Sequence, residues 1–295
     1  MNERAENTAS IFCDVPCHLG EGPSWDPFEN ALYWFDILGK RLLRQRAPGE
    51  EPTIQDLPAM ASAIAAVDAE QQLVMTETGL YLRDRGSGLL TAHQAIEPDN
   101  PATRSNDCRT HPSGAFWVST MGKKAEAKAG TIYWYRKGEL RPLFPGITIP
   151  NSICFSVEGD VAYFADTSLG LLWRVDCEPA TGLPVSEPRI FVDRSGQEGG
   201  IDGSVTDVDG VLWNAAWGAG RLDAYAPDGR LLRSIGLPAR QTTCPAFVGP
   251  NADRLVVTSA REGLDAAAIA ADPEAGKTFL LDLAVRGRHD PAVAL

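Results

Sequence analysis

Histidine is scarce in this chain. The four present, His18, His93, His111 and His289, form neither an HExxH motif nor a pair at helical spacing. A histidine-rich zinc site is therefore not expected. The six cysteines, Cys13, Cys17, Cys108, Cys154, Cys177 and Cys244, are irregularly spaced and contain no CxxC. The N-terminal MNERAENTAS lacks the apolar core of an export signal. Reduced thiols are then the default, with Cys13 and Cys17 the one pair close enough for a strained bridge. No run approaches the roughly 18 to 20 apolar residues of a membrane span. Also missing are GxSxG, GxxxxGK[ST] and GxGxxG, which removes the usual serine hydrolase, P-loop and dinucleotide readings.

Basic side chains are in deficit. Lys and Arg total 27 against 39 Asp and Glu, a formal net charge of −12. Such a surface repels phosphate backbones and anionic lipid, so neither nucleic acid nor a membrane is an expected partner. Residues 1–9 are expected to be a disordered leader, and the protein a cytoplasmic monomer or small homo-oligomer. The 295 residues, 44% hydrophobic and 22% charged, suffice for a sizeable core.

What the chain does have is punctuation. Its 28 Gly and 21 Pro are spread throughout, and between them lie short apolar runs: ALYWFDI, QLVMTE, AFWVSTM, VAYFADT, VLWNAAW and RLVVTSA. Aromatic and β-branched residues dominate these runs, as in strands. Turns such as DPFEN, HPSG, VEGD, DVDG, APDG and GPNAD separate them. The best helical candidate is LDAAAIAADPEAG, after Gly263.

The runs recur. Six openings, LGEGPSWDP, ASAIAAVDA, RSNDCRTHP, IPNSICFSV, GIDGSVTDV and TTCPAFVGP, align on their turns. The equivalent residues are Glu21, Ala63, Asn106, Asn151, Asp202 and Cys244, separated by 42, 43, 45, 51 and 42 residues. A period of this length with several short strands per unit predicts a six-bladed β-propeller, one domain over 10–295, closed by an N-terminal strand from about Ser10 to Val15. A β-sandwich gives no reason for the shared register.

Equivalent positions on innermost strands form a ring at one mouth of the channel. Four of the six are Glu21, Asn106, Asn151 and Asp202, all hard oxygen donors. They suit Ca²⁺, Mg²⁺ or Mn²⁺, with Zn²⁺ and Fe²⁺ also accommodated. Singly, each is an ordinary turn residue; together, at one register, they read as a site.

The motifs LGEGPSWD, TRSND, IPNSICFS and GGIDGSVTDVDGVLWNAAWGAGRL resemble the gluconolactonase / regucalcin (senescence marker protein) family, over about Cys13 to Leu283. The RxGL at Arg261 to Leu264 points to its bacterial sugar lactonases. The resemblance implies a hydrolase with one divalent cation held by Glu21, Asn151 and Asp202. It also implies substrate contacts from Arg104, Asn106 and Asp107, the R-x-N-D motif. Two departures are visible: Asn151 is followed by Ser152 where Gly is usual, and Lys123 and Lys124 replace an acidic stretch. The expected reaction is opening of an aldonolactone to its aldonic acid, with Asp202 as general base. Lys123 and Lys124 belong either to a solvated loop or to a clamp for an anionic substituent. Other ester or phosphotriester hydrolysis, and calcium binding without turnover, are the rival readings.

Trp34, Trp117, Trp173 and Trp213 are expected in the blade core, and the GKRLLRQR run on a solvated outer strand. His111 is expected at the surface, and His18 is a candidate for the channel mouth.

Overall fold

The computed structural model describes residues 9–295. Most of the expected leader, 1–9, lies outside the described residues; its last residue, Ala9, begins the first strand. Six sheets follow, each a meander of antiparallel strands. The innermost strands of blades one, two, four, five and six are Gly20–Asp26, Ala61–Ala66, Pro150–Phe155, Gly200–Thr206 and Thr242–Val248. In blade three this strand is split into Thr103–Ser105 and Arg109–Thr110. The sixth sheet is completed by Ala9–Cys13, paired antiparallel with Thr278–Leu281. Chain start and chain end thus share one blade and close the ring, as the repeat predicts. A single six-residue helix, Ala266–Ala271, is capped by Asp265, whose carboxylate accepts from Ala268 N. Among the described residues no helix is long and apolar enough to cross a membrane.

The blades are joined by apolar faces between neighbouring sheets. Trp34 and Trp117 are fully buried and Trp213 nearly so; Trp173 is half-buried, stacked on Phe164. Each large aromatic so buried contributes on the order of 2–3 kcal/mol from surface removed from water. All six cysteines are free and buried, including Cys13 and Cys17.

Two expectations are corrected here. The GKRLLRQR run does not form an outer strand. Arg41–Gln45 is third in its blade, with Leu42 and Leu43 buried, because Thr53–Asp56 pairs along its far edge. His111 is not exposed. Its ring is fully buried, donating from Nε2 to Gly159 O at 2.8 Å, with Ser113 Oγ 2.8 Å from Nδ1. Gly159 and Gly182 make room for it, since a Cβ on either would sit within 2.8 Å of the ring.

Every ring position sits on an irregularity. The ladder slips between Glu21 and Ser24, Ala61 and Ala63, Asn151 and Cys154, Ile201 and Ser204, and Thr242 and Pro245. In blade three the strand breaks between Ser105 and Arg109. A bulge re-aims a side chain that a regular ladder would direct into the next sheet. Gly22, at φ +56°, is required by one such bulge: a Cβ there would lie 1.9 Å from Ser62 O. At the corresponding place in blade four, Ser152 takes the left-handed conformation without being glycine, at φ +57°. Its hydroxyl donates to Asp202 O at 2.5 Å and lies 2.9 Å from Ser204 Oγ, tying blade four to blade five.

Candidate metal centre and substrate cavity

A cavity of about 390 Å³ opens at the mouth where the innermost strands begin. Glu21, Arg104, Asn106, Asn151 and Asp202 line its floor, so five expected site residues share one space. Lys123 and Lys124 line its wall. Asp107 does not line it; the carboxylate is nearly buried and Oδ2 accepts from Ile153 N at 2.7 Å. The expected substrate contact from Asp107 is therefore replaced by a structural one, because its side chain turns toward blade four. His18 is likewise absent from the lining, exposed beside Leu19, which does line it.

Asn151 is oriented unambiguously. The Thr167 hydroxyl donates to Ile201 O at 2.5 Å, so its oxygen must accept from Asn151 Nδ2, at 2.8 Å. That leaves Asn151 Oδ1 on the other side, where Asn106 Nδ2 donates to it at 3.0 Å. The same nitrogen donates to Pro150 O at 2.8 Å, and Asn106 Oδ1 accepts from Arg104 Nη1 at 2.7 Å. Asn106 is thus wholly engaged within the protein. Arg104 keeps Nε and Nη2 without partners among the described residues.

The electrostatics are those of a site short of positive charge. Burial, and then the nearby Asp107 carboxylate, push Glu21 up to about 8. Burial, then Glu21 and Asp107, hold Asp202 well above the ordinary carboxylate range. Burial also lowers Arg104, opposed by Glu262, Glu21 and Asp202. Two buried carboxylates that resist ionisation beside an amide oxygen form a hard, anionic donor set whose repulsion a divalent cation relieves. The residues therefore fit such a cation. Among the described residues no group of three His, Cys, Asp or Glu is placed to hold a metal; the candidate set here includes an amide.

The loops after the second strands also reach the cavity, and there the sequence reading missed Thr167, Trp217 and Glu262. Lys123, Thr167, Trp217 and Glu262 follow or end the second strands of blades three to six, and all line the cavity. Glu77 holds the corresponding place in blade two and pairs with Lys123 at 2.6 Å. Lys124 has no ion-pair partner among the described residues.

Residues 19–261 match the family model for the SMP-30/Gluconolactonase/LRE-like region. The chain belongs to this family. It is 47% identical, over the whole of both chains, to a Rhizobium meliloti (strain 1021) protein named for sugar lactone lactonase activity. It is 38% identical to the L-arabinolactonase of Azospirillum brasilense, over 92% of this chain and 91% of that one. The crystal structure of a calcium-binding protein, regucalcin, from Agrobacterium tumefaciens strain C58 superposes with a TM-score of 0.95, at 47% identity and 97% coverage of each chain.

Proposed function

We propose that the protein is a metal-dependent sugar lactonase that opens an aldonolactone to the aldonic acid at this cavity. Action on a lactone ester follows from the family and its named relatives. The metal dependence, the site and the sugar are our reading. The observation that carries it is the convergence of Glu21, Asn151 and Asp202 on one cavity, beside an Arg104 with two nitrogens free.

Glu21, Asn151 Oδ1 and Asp202 hold the cation, with Ca²⁺, Mg²⁺, Mn²⁺, Zn²⁺ and Fe²⁺ all compatible with such donors. When bound, it supplies Lewis acidity toward the ester carbonyl. Arg104 directs Nε and Nη2 at the substrate and orients it. Asn106 serves the substrate indirectly, by fixing both Arg104 and Asn151. An Asp202 carboxylate oxygen takes the proton from the attacking water. The apolar wall of Leu19, Met121, Ile149 and Trp217 covers the sugar's less polar face.

Calcium binding without turnover is the rival, and the partner-free nitrogens of Arg104 speak against it, because a storage site needs no cationic clamp beside its donors. Hydrolysis of a lactone panel with and without chelator decides. Ring opening that disappears with chelator supports the proposal; metal binding with no ring opening supports the rival.

A further inference from the structure

The far end of the channel holds a second set of charges that the mechanism does not use. After the last strand, residues 286–294 run across that end as a strap without regular structure, outside the 19–261 of the family match. Val208 N donates to Arg286 O and Gly287 N to Ala252 O; Val293 N donates to Ala66 O and Ala294 N to Gly114 O. Arg288 Nη2 donates to Phe155 O at 2.8 Å, and His289 Nε2 to Gly249 O at 2.8 Å. These partners lie at or just beyond the far ends of the innermost strands, so the strap touches blades two to six.

Between its anchors the strap delivers one carboxylate inward. Asp290 Oδ2 accepts from Arg109 Nη1 at 3.0 Å. Arg109 is itself only 7% exposed, and its Nη2 reaches Ser204 O at 3.4 Å, two residues beyond Asp202. Its other near carboxylate is Asp107, two residues before it in the chain and committed to Ile153 N, two residues beyond Asn151. Charges therefore alternate down the channel: the Glu21 and Asp202 site with its proposed cation, then Asp107, Arg109 and Asp290.

We propose that Asp290 is a positioning residue for the metal ligands: by pairing with Arg109 from the strap, it leaves Asp107 free to hold the blade-four strand that carries Asn151. A buried guanidinium does not stay unpaired. Without Asp290, Arg109 draws on Asp107, Ile153 loses its acceptor, and Asn151 loses its fixed position. The inference rests on the metal-site reading above.

The test is calorimetric titration of metal-stripped protein with Ca²⁺, or with Mn²⁺ if Ca²⁺ gives no isotherm, alongside thermal unfolding. Asp290→Asn is expected to weaken binding about tenfold or more, the scale of outer-shell losses. Asp290→Glu is expected to recover to within about threefold of wild type. Arg109→Met/Asp290→Leu, which removes both charges, is expected to bind more tightly than Asp290→Asn. Should Asp290→Asn not fold, Arg288→Ala/His289→Ala removes the strap's two side-chain anchors just before Asp290, and a weakening of about threefold is expected. Wild-type affinity in whichever of these two variants folds overturns the inference, even if its Tm falls, and reduces the strap to a seal. No divalent binding by the wild type would instead overturn the metal reading itself.

Discussion

Asn106 donates its side-chain amide to Asn151 Oδ1 at 3.0 Å across the junction of blades three and four. With Thr167 on the other side, this bond fixes which atom of Asn151 faces the cavity. On the proposed reading it also makes a residue expected to touch substrate into one that prepares a metal ligand. Asn106→Asp removes both amide donors and adds a further carboxylate to an already anionic floor. We expect metal affinity to fall about 10- to 100-fold, measured by calorimetry, with a smaller loss in Asn106→Gln if the longer amide still reaches. Unchanged affinity in Asn106→Asp would separate the two asparagines functionally.

Asp202→Asn removes a charged ligand and the candidate base together. Turnover of any accepted lactone should drop at least about 100-fold. The fold should survive, and the metal-stripped variant should melt no lower than metal-stripped wild type, because one of two repelling buried carboxylates is gone. Near-normal turnover would remove Asp202 from the role of base.

The raised proton affinities fix a sign for stability against pH. Glu21 binds its proton more tightly folded, up to about 8, than in the unfolded chain, where about 4.3 applies. Its contribution is therefore full at low pH and is lost as pH rises through that range. Asp202 is shifted in the same direction. Chelated protein should lose Tm from about pH 5 to pH 8.5, and a saturating divalent cation should flatten that slope. A chelated Tm that climbs over this window contradicts the account.

The two lysines of the wall are not equivalent. Lys123 is held by Glu77, whereas Lys124, which also lines the cavity, has no ion-pair partner among the described residues. If an anionic substituent is read here, Lys124→Ala should lower kcat/KM for a carboxylate- or sulfonate-bearing lactone about tenfold more than for a neutral one. Lys123→Ala should change that ratio little. Equal losses on both lactone classes would make Lys124 a contact for hydroxyl groups or solvent.

Gly22→Ala tests the bulge that aims Glu21. The new methyl meets Ser62 O, and φ +56° disfavours any side chain. A loss of about 3 kcal/mol is expected from strain and overpacking combined, read by chemical denaturation.

Much of this was legible in the sequence because a propeller writes its symmetry into the spacing. Glu21, Asn151 and Asp202 share a register, and register is position on the ring. The same logic placed Asn106 at the mouth but not its partner, since a hydrogen bond between blades leaves no periodic trace. Asp107 was misread because its neighbours in the motif face the cavity; the break in the blade-three strand turns it the other way. His111 looked exposed because HPSG is a turn sequence, and the two glycines that enclose it come from distant turns. Glu262 lies in a loop three residues past its strand, at no position the repeat marks. Arg109 and the strap were invisible: Asp290 lies outside the repeat, 181 residues from its partner.

The most direct test of the central claim is the rate of aldonolactone hydrolysis by metal-stripped protein as a divalent cation is titrated back. The account predicts activity that is lost on stripping, returns in proportion to cation and saturates at one per chain, with no return in Asn151→Ala at the same concentrations. Full activity in stripped protein, or a return in Asn151→Ala at the wild-type stoichiometry, would contradict it.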